Sequence, residues 1–506
     1  MEFHPSWWAA LSFSFLTFSF FFILLLLLLL FVLRLWPWCN CHLCHTYLTS
    51  RWTAKFDNLS DWYTHLLSQS ATHTIHIHIL RNTITANPQN VEHILKTNFD
   101  NYPKGKTFSL ILGDLLGQGI FNVDGDSWRF QRKMASMELG SQSVRSYAFR
   151  IVSAEIQDRL LPLLDSVADQ DGGRLDLQDV FRRFAFDNVC KISFGIDPGC
   201  LELSLPVSDL AVAFDVATEL SAKRATLASP LLWRMKRFLN LGCERKLKEA
   251  IGLVDVLAEE VIRQRRKMGF HDKHDLLSRF MCSLADDDDD KYLRDIVISF
   301  ILAGRDTIAS ALTSFFALLA CHPDVERKIS EEIARGVKHG EEEAAGASLE
   351  ELKGMDYLHA ALYESMRLFP PVQFDSKFAL EDDVLPDGTL VKKGMRVTYH
   401  PYAMGRMEDI WGADCLEFRP ERWLEKGIFT PHNPFEYPVF QAGVRVCLGK
   451  ELAILEMKSV AVALISRFRI EIFDACCCKP KFATGLTAGL IGGLRVRIRS
   501  KPQLPI

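Results

Sequence analysis

One cysteine in a glycine-bent loop constrains this chain more than any other feature. The segment Phe440-Gln-Ala-Gly443-Val-Arg445-Val-Cys447-Leu-Gly449 sets an aromatic, a glycine, a cation, a thiol and a second glycine at fixed spacing. By composition alone, five such residues would recur in roughly one chain in ten thousand. Each has a physical task. The thiolate is the metal-binding form of cysteine, and it needs stabilising. Gly443 and Gly449 permit a sharp bend, so backbone amides can point at the sulfur and a flat ligand can approach closely. Arg445 is placed to meet an acidic group on that ligand. The run from Lys450 to Val462 is helical in pattern. Cys447 therefore precedes a helix N-terminus, where the dipole favours negative charge. A lone cysteine is usually one more buried free thiol; the surrounding spacing argues against that here.

The first segment constrains topology. From Trp7 to Leu33 no residue is charged, which is long enough to cross a bilayer as a helix. It exceeds the apolar part of a cleaved signal, and no small-residue cleavage site follows. No Lys or Arg precedes it, whereas Arg34, Arg51 and Lys55 follow. Basic residues favour the cytoplasmic side, so the N-terminus is expected in the lumen and the body in the cytosol. No second span of comparable length is expected. Residues 1–35 are read as a membrane anchor, 36–60 as a connector and 61–506 as one catalytic domain. Net charge is −4, so nothing points to nucleic acid. Thirteen cysteines in 506 residues are not a disulfide scaffold, and the thiols are read as mostly reduced.

The connector holds Cys39, Cys41, Cys44, His42 and His45. Such spacing suits zinc, but a full site needs further ligands, and none is evident along the chain. Free or acylated thiols are the plainer expectation. Thr74 to Ile79 alternates as a half-buried strand, turned by Arg81-Asn82 into a second strand over 83–86. His76 and His78 then share one solvated face. Helices dominate from Pro88 onward, and Asp387-Gly388 predicts a hairpin turn. The acidic block Asp286 to Asp290 reads as a solvated loop whose charge complements the helix beginning near Tyr292. That apolar helix is expected to reach about Cys321, where His322-Pro323 stops it.

The loop around Cys447 resembles the haem-binding loop of the cytochrome P-450 family. Four further stretches match that family in the same order, so the resemblance covers nearly the whole chain. It implies a mainly α fold with small β-hairpin sheets, and haem b with Cys447 as axial iron ligand inside the loop from Phe440 to Gly449, where Arg445 meets a propionate. In Trp128-Arg-Phe-Gln-Arg132 the two end residues share a helix face, and the resemblance has them hold a propionate. In Ala303-Gly304-Arg305-Asp306-Thr307 a mid-helix glycine costs about 1 kcal/mol, and an acid and a hydroxyl in an apolar run need partners. The resemblance makes Ala303 and Gly304 the space left for dioxygen, and Asp306 and Thr307 the catalytic pair that handles protons. The alternative is a kinked helix with Thr307 bonded back to its own backbone. Ile308 stands where many relatives carry a second hydroxyl, so water or Ser310 is expected to serve instead. Glu364 and Arg367, completed by Arg422 of Pro420-Glu-Arg422-Trp423, are implied to form a buried structural triad. Pro370 to Lys377 is implied to run along the cavity, with Val372 and Phe374 facing substrate and Lys377 meeting a propionate.

Asn101-Tyr102-Pro103-Lys104-Gly105, Gly113-Asp114-Leu115-Leu116-Gly117, Asp124-Gly125-Asp126-Ser127-Trp128, Phe194-Gly195-Ile196-Asp197-Pro198 and Gln373-Phe374-Asp375-Ser376-Lys377 look like plant fatty-acid ω-hydroxylases. They are most similar to members that oxidise jasmonoyl-isoleucine. That implies hydroxylation of a terminal carbon of an apolar carboxylate and oxidation on to a second carboxylate, in hormone catabolism; a general fatty-acid ω-hydroxylase is the alternative. Arg495 follows Gly492-Gly493-Leu494 where that branch has Pro, which predicts an altered loop near the cavity. No dinucleotide fingerprint is present. Electrons are therefore expected from NADPH through a cytochrome P-450 reductase, at the endoplasmic reticulum membrane. Two rival readings are a haem-thiolate hydroperoxide isomerase or lyase, and a membrane-tethered metal or thiol adaptor built on Cys39 to His45.

Overall fold

The computed structural model describes residues 17–28, 39, 41–169, 173–201, 209–227, 230–270, 275–283, 290–337, 347–473, 480–483 and 485–501. Helices dominate and strands come as short ribbons, as the patterning predicts. Helix α1 (Thr17–Leu28) is apolar and almost wholly exposed. The rest of the expected span from Trp7 to Leu33 lies outside the described residues, as do Asp286 to Asp289. Helix α2 (His42–Leu48) opens the connector, capped by Cys41, whose sulfur accepts from the Cys44 amide.

Five helices build the centre. Helix α3 (Gly125–Leu139) carries Trp128 and Arg132. Helix α4 (Leu177–Phe194) is buried nearly all round, which explains its weak polar face. Helix α5 (Asp290–Cys321) has a mean hydropathy of 1.5 over its most apolar stretch, 78% of which is buried. By length and composition it could cross a bilayer, so the expectation of a single such stretch is corrected. Its burial makes it a core helix instead. His322 and Pro323 end it as predicted. Helix α6 (Asp356–Leu368) precedes the later loops, and helix α7 (Lys450–Arg467) follows the cysteine loop. Helices α4 to α7 share one hydrophobic core, and the rings of Phe181 and Phe316 stack across it at 5.5 Å.

A four-stranded sheet lies to one side. Strands β1 (Thr74–Ile77), β2 (Asn82–Thr85), β3 (Asp375–Phe378) and β4 (Arg396–Tyr399) run in the order β1-β2-β4-β3, with β2 parallel to β4. The first strand is shorter than predicted. It ends at Ile77, paired with Asn82; His78 to Leu80 form a 3₁₀ turn closed by Arg81 at φ 47°. Reversal of the chain needs that left-handed residue, and it takes His78 out of the strand. The hairpin at Asp387-Gly388 is as expected, joining Asp383–Val384 to Leu390–Val391 with Gly388 at φ 85°. Arg495 is not in a cavity loop. It opens the strand Arg495–Ser500 and pairs with Asp176. The bend lies just before it, where a Cβ on Gly493 would fall 1.9 Å from the Asp176 carboxylate.

Candidate functional site

The cysteine loop closes on itself. The Cys447 N–H donates to the Phe440 carbonyl at 2.8 Å. The bend needs two left-handed residues, Gln441 at φ 61° and Gly443 at φ 60°. A Cβ on Gly443 would lie 2.2 Å from the Leu95 carbonyl oxygen, so only glycine fits. Gly449 is a different case. Its φ of −86° suits any residue, and a Cβ there would meet no protein atom within 4 Å. Neither backbone nor packing demands glycine, and the space beside it is clear. Phe440 packs on Tyr363 with ring centres 5.9 Å apart. The Cys447 thiol is enclosed by protein yet remains accessible, so it looks onto internal space. Burial pushes that thiol up, against the Gly449 and Lys450 amides and the charges of Arg132 and Lys450, which pull it down. A cation at the sulfur is what holds such a group as thiolate.

Beside the loop sits a cluster with more cations than acids. Lys377, 1% exposed, donates to Asp375 at 2.9 Å, and Lys104 reaches the other oxygen at 2.5 Å. Tyr399 donates to Asp375 at 3.0 Å. The two lysines hold that carboxyl well below the usual range in spite of burial. Lys377 falls to about 7, because burial and the neighbouring Lys104 and Arg445 outweigh Asp375. Arg445 donates to Asp124 at 2.6 Å and lies over the Trp128 ring at 4.4 Å, while its buried Nε has no partner. Burial lowers Arg132, and among the described residues no carboxylate pairs with it. Among the described residues, Lys104, Lys377, Arg132 and Arg445 thus pair with no carboxylates but Asp124 and Asp375. Lys104, Asp124 and Asp375 carry no site reading from sequence; all three stand only in stretches that resemble the ω-hydroxylase branch.

The opposite wall comes from α5. Its turn Leu302–Asp306 widens into a π turn, a feature common at functional sites. Thr307 lines a cavity of about 280 Å³ together with Ala303, Val372 and Phe374. Its hydroxyl donates to the Ala303 carbonyl at 2.5 Å, so the back-bonded geometry and the cavity position hold together. Gly304 corrects the expectation of a gap above the iron. A Cβ there would sit 2.5 Å from Val189 of α4, so close helix packing is what requires it. Asp306 is also differently placed. It is not in the cavity lining; it pairs with Arg305 at 2.8 Å, which in turn reaches Asp215 at 2.6 Å. Burial pushes its carboxyl up, and Arg305 pulls it back. Ser310 donates to the Ala488 carbonyl at 2.5 Å, which commits its proton elsewhere.

The cytochrome P450 family profile matches residues 61–490. This chain is a cytochrome P450. It is 62% identical to cytochrome P450 94C1 of Arabidopsis thaliana over 92% of this chain and 94% of that relative. It is 51% identical to cytochrome P450 94B3 of the same plant over 88% of each. Cytochrome P450 94A2 of Vicia sativa is 46% identical over 89% of each. As a P450 the protein is a monooxygenase and oxidoreductase that uses haem iron and takes electrons from NADPH through a reductase. The isomerase, lyase and adaptor readings give way to that. Plant P450s generally work with NADPH-cytochrome P450 reductase at the endoplasmic reticulum.

The residues of this P450 fit the group. The surplus of cations, the unpartnered Arg445 Nε and the clear space at Gly449 suit a flat ligand bearing two carboxylates. The expected buried triad is fully assembled. Arg367 donates to Glu364 at 2.7 and 2.8 Å, and to the carbonyls of Gly405, Cys415 and Glu417. Arg422 and the Trp423 indole donate to Glu364 at 3.3 and 2.9 Å.

Proposed function

We propose that this P450 oxidises the terminal carbon of a fatty-acid-like carboxylate, with jasmonoyl-isoleucine and its hydroxylated form as substrates. The product is carried on to the second carboxylate in hormone catabolism; general fatty-acid ω-hydroxylation is the broader form of the same reading. The single observation behind it is a cavity with an apolar body and a cation in its lining. Phe108, Leu112, Leu116, Leu302 and Leu486 supply apolar wall, and Thr307 stands at the α5 side. Arg396 also lines the cavity, and donates to Ser376 at 2.9 Å and to the Ala225 carbonyl at 3.0 Å. No carboxylate pairs with it among the described residues, and burial lowers its hold on its proton. The buried Gln373 Nε2 nearby also lacks a partner. Such groups favour an incoming acid or amide, and an apolar channel then presents the far end of the chain.

In this reading Cys447 ligates the iron, and Arg132, Arg445, Lys377 and Trp128 hold the propionates. When bound, thiolate-ligated haem supplies the activation of dioxygen. Thr307 holds a proton at Oγ1, and rotation about χ1 moves it from the Ala303 carbonyl toward the cavity. Once Asp306 leaves Arg305, burial pushes its carboxyl up, and it takes up a proton and passes it to Thr307. The apolar walls exclude water. The anchor from 1–35 crosses the membrane once, with the catalytic domain in the cytosol.

Product analysis by mass spectrometry tests this, with reductase, NADPH, and jasmonoyl-isoleucine, its hydroxylated form or a medium-chain fatty acid. Oxidation at the terminal carbon is expected; products only at interior carbons would overturn it. Arg396→Met should raise KM for the free acid about tenfold, the scale of one lost charge-assisted bond, and change that for the methyl ester little. Equal effects on acid and ester would remove Arg396 from the role.

A further inference from the structure

The connector cysteines find a fourth ligand that sequence spacing hides. Because β1 ends at Ile77, His78 lies in the 3₁₀ turn that follows, still on the exposed face expected for it, with its ring 4.6 Å from that of His76. The sulfurs of Cys39, Cys41 and Cys44 and a ring nitrogen of His78 all lie within 4.8 Å of one another. The Cys41 sulfur is 3.8 Å from His78 Nδ1. In a tetrahedral zinc site with bonds of about 2.0–2.3 Å, neighbouring ligand atoms stand roughly 3.5–3.8 Å apart. Movements on the order of 1 Å therefore close the set around an ion. Two backbone amides already point at the sulfurs. The Cys44 N–H donates to Cys41 at 3.4 Å, and the Ile79 N–H to Cys44 at 3.3 Å. Donors of this kind favour thiolate.

The donor set also selects the ion. Three sulfurs and an imidazole, with no carboxylate, suit zinc rather than magnesium or calcium. Cys44 is buried in the core beneath the four-stranded sheet, whereas His78 is exposed and Cys41 partly so. The floor of the site is buried and its mouth is open to ions. His42 and His45 point to solvent and are not part of the set.

We propose that Cys39, Cys41, Cys44 and His78 bind one zinc ion, which clips the membrane-proximal connector to the β1–β2 hairpin. Binding replaces the thiol protons, which pass to solvent. The clip ties α2 to the sheet that also carries Asp375, Lys377 and Arg396. It thereby fixes how the connector leaves the catalytic body.

The test uses the full-length, detergent-solubilised holoenzyme, purified without chelator or histidine tag. Elemental analysis should find about one zinc per haem, and His78→Phe or Cys44→Ser should lower it below about one fifth. His78→Cys, which restores a sulfur ligand, should retain the zinc. The ferrous carbon-monoxide spectrum should be the same in all of them, which shows that haem and fold persist. Hydrogen exchange over 41–48 and 74–80 should quicken only in the variants that lose zinc. Zinc absent from the unsubstituted enzyme, or held equally by His78→Phe, would overturn the proposal. So would an intact mass showing an acyl group or a disulfide at these cysteines.

Discussion

Two buried charge networks in this P450 are built on opposite plans. Around Glu364 both carboxylate oxygens are taken, and every guanidinium nitrogen of the fully buried Arg367 has a protein acceptor. Asp414 balances Arg422. Around Asp375 the protein leaves cations in excess and one guanidinium nitrogen unpartnered. A network complete in itself stabilises the fold. One that is incomplete is waiting for charge from outside, because an unpaired buried cation is costly.

The largest effect that would break this contrast is expected at Glu364. Glu364→Ala strands Arg367 and should cost about 3–5 kcal/mol of stability. Urea unfolding monitored by far-ultraviolet circular dichroism measures it, and little soluble holoenzyme should remain. A loss under about 1 kcal/mol would show that the triad is not structural. Arg445→Leu should act the other way. The haem-free chain should unfold at nearly the same urea concentration, while haem dissociates about tenfold faster, equivalent to about 1.4 kcal/mol. Transfer of haem to an apo-globin acceptor follows that rate, and an unchanged rate would place the surplus charge elsewhere.

A smaller effect sharpens the comparison with a third pattern, a buried acid with no cation. Glu456 on α7 accepts from Asn188 at 3.0 Å, and burial raises it to about 8. Its unfolded counterpart titrates near 4.3. The folded state therefore holds the extra proton between these values, and stability falls as pH rises through that window. Glu456→Gln should flatten this slope and add about 1 kcal/mol or more at pH 8. Parallel pH profiles for the two proteins would contradict it.

What could be read from the chain, and what could not, follows the same physics. The cysteine loop was legible because its constraints are local: Gly443 must take a positive φ to bend the loop, and α7 must begin just after Cys447. The end of α5 at His322-Pro323 was legible for the same reason. Positions decided by distant neighbours were not. Gly304 answers to Val189 on another helix, Ser310 to the Ala488 carbonyl, and Asp306 to Arg305, which Asp215 of a separate helix also holds. His78 was misplaced because the alternation from Thr74 continues past the point where the backbone leaves the strand. Lys104 carries no motif that marks it; only the fold sets it opposite Lys377.

The contact between Gly304 and Val189 has a consequence for how such an enzyme changes its choice of substrate. With no room for even a methyl group between the two helices, α5 cannot slide or roll on α4 without a steric penalty. The α5 wall of the cavity is therefore held in register with α4. New specificities are left to the other lining side chains, Phe108, Val372 and Leu486 among them, whose size can change without disturbing that helix pair.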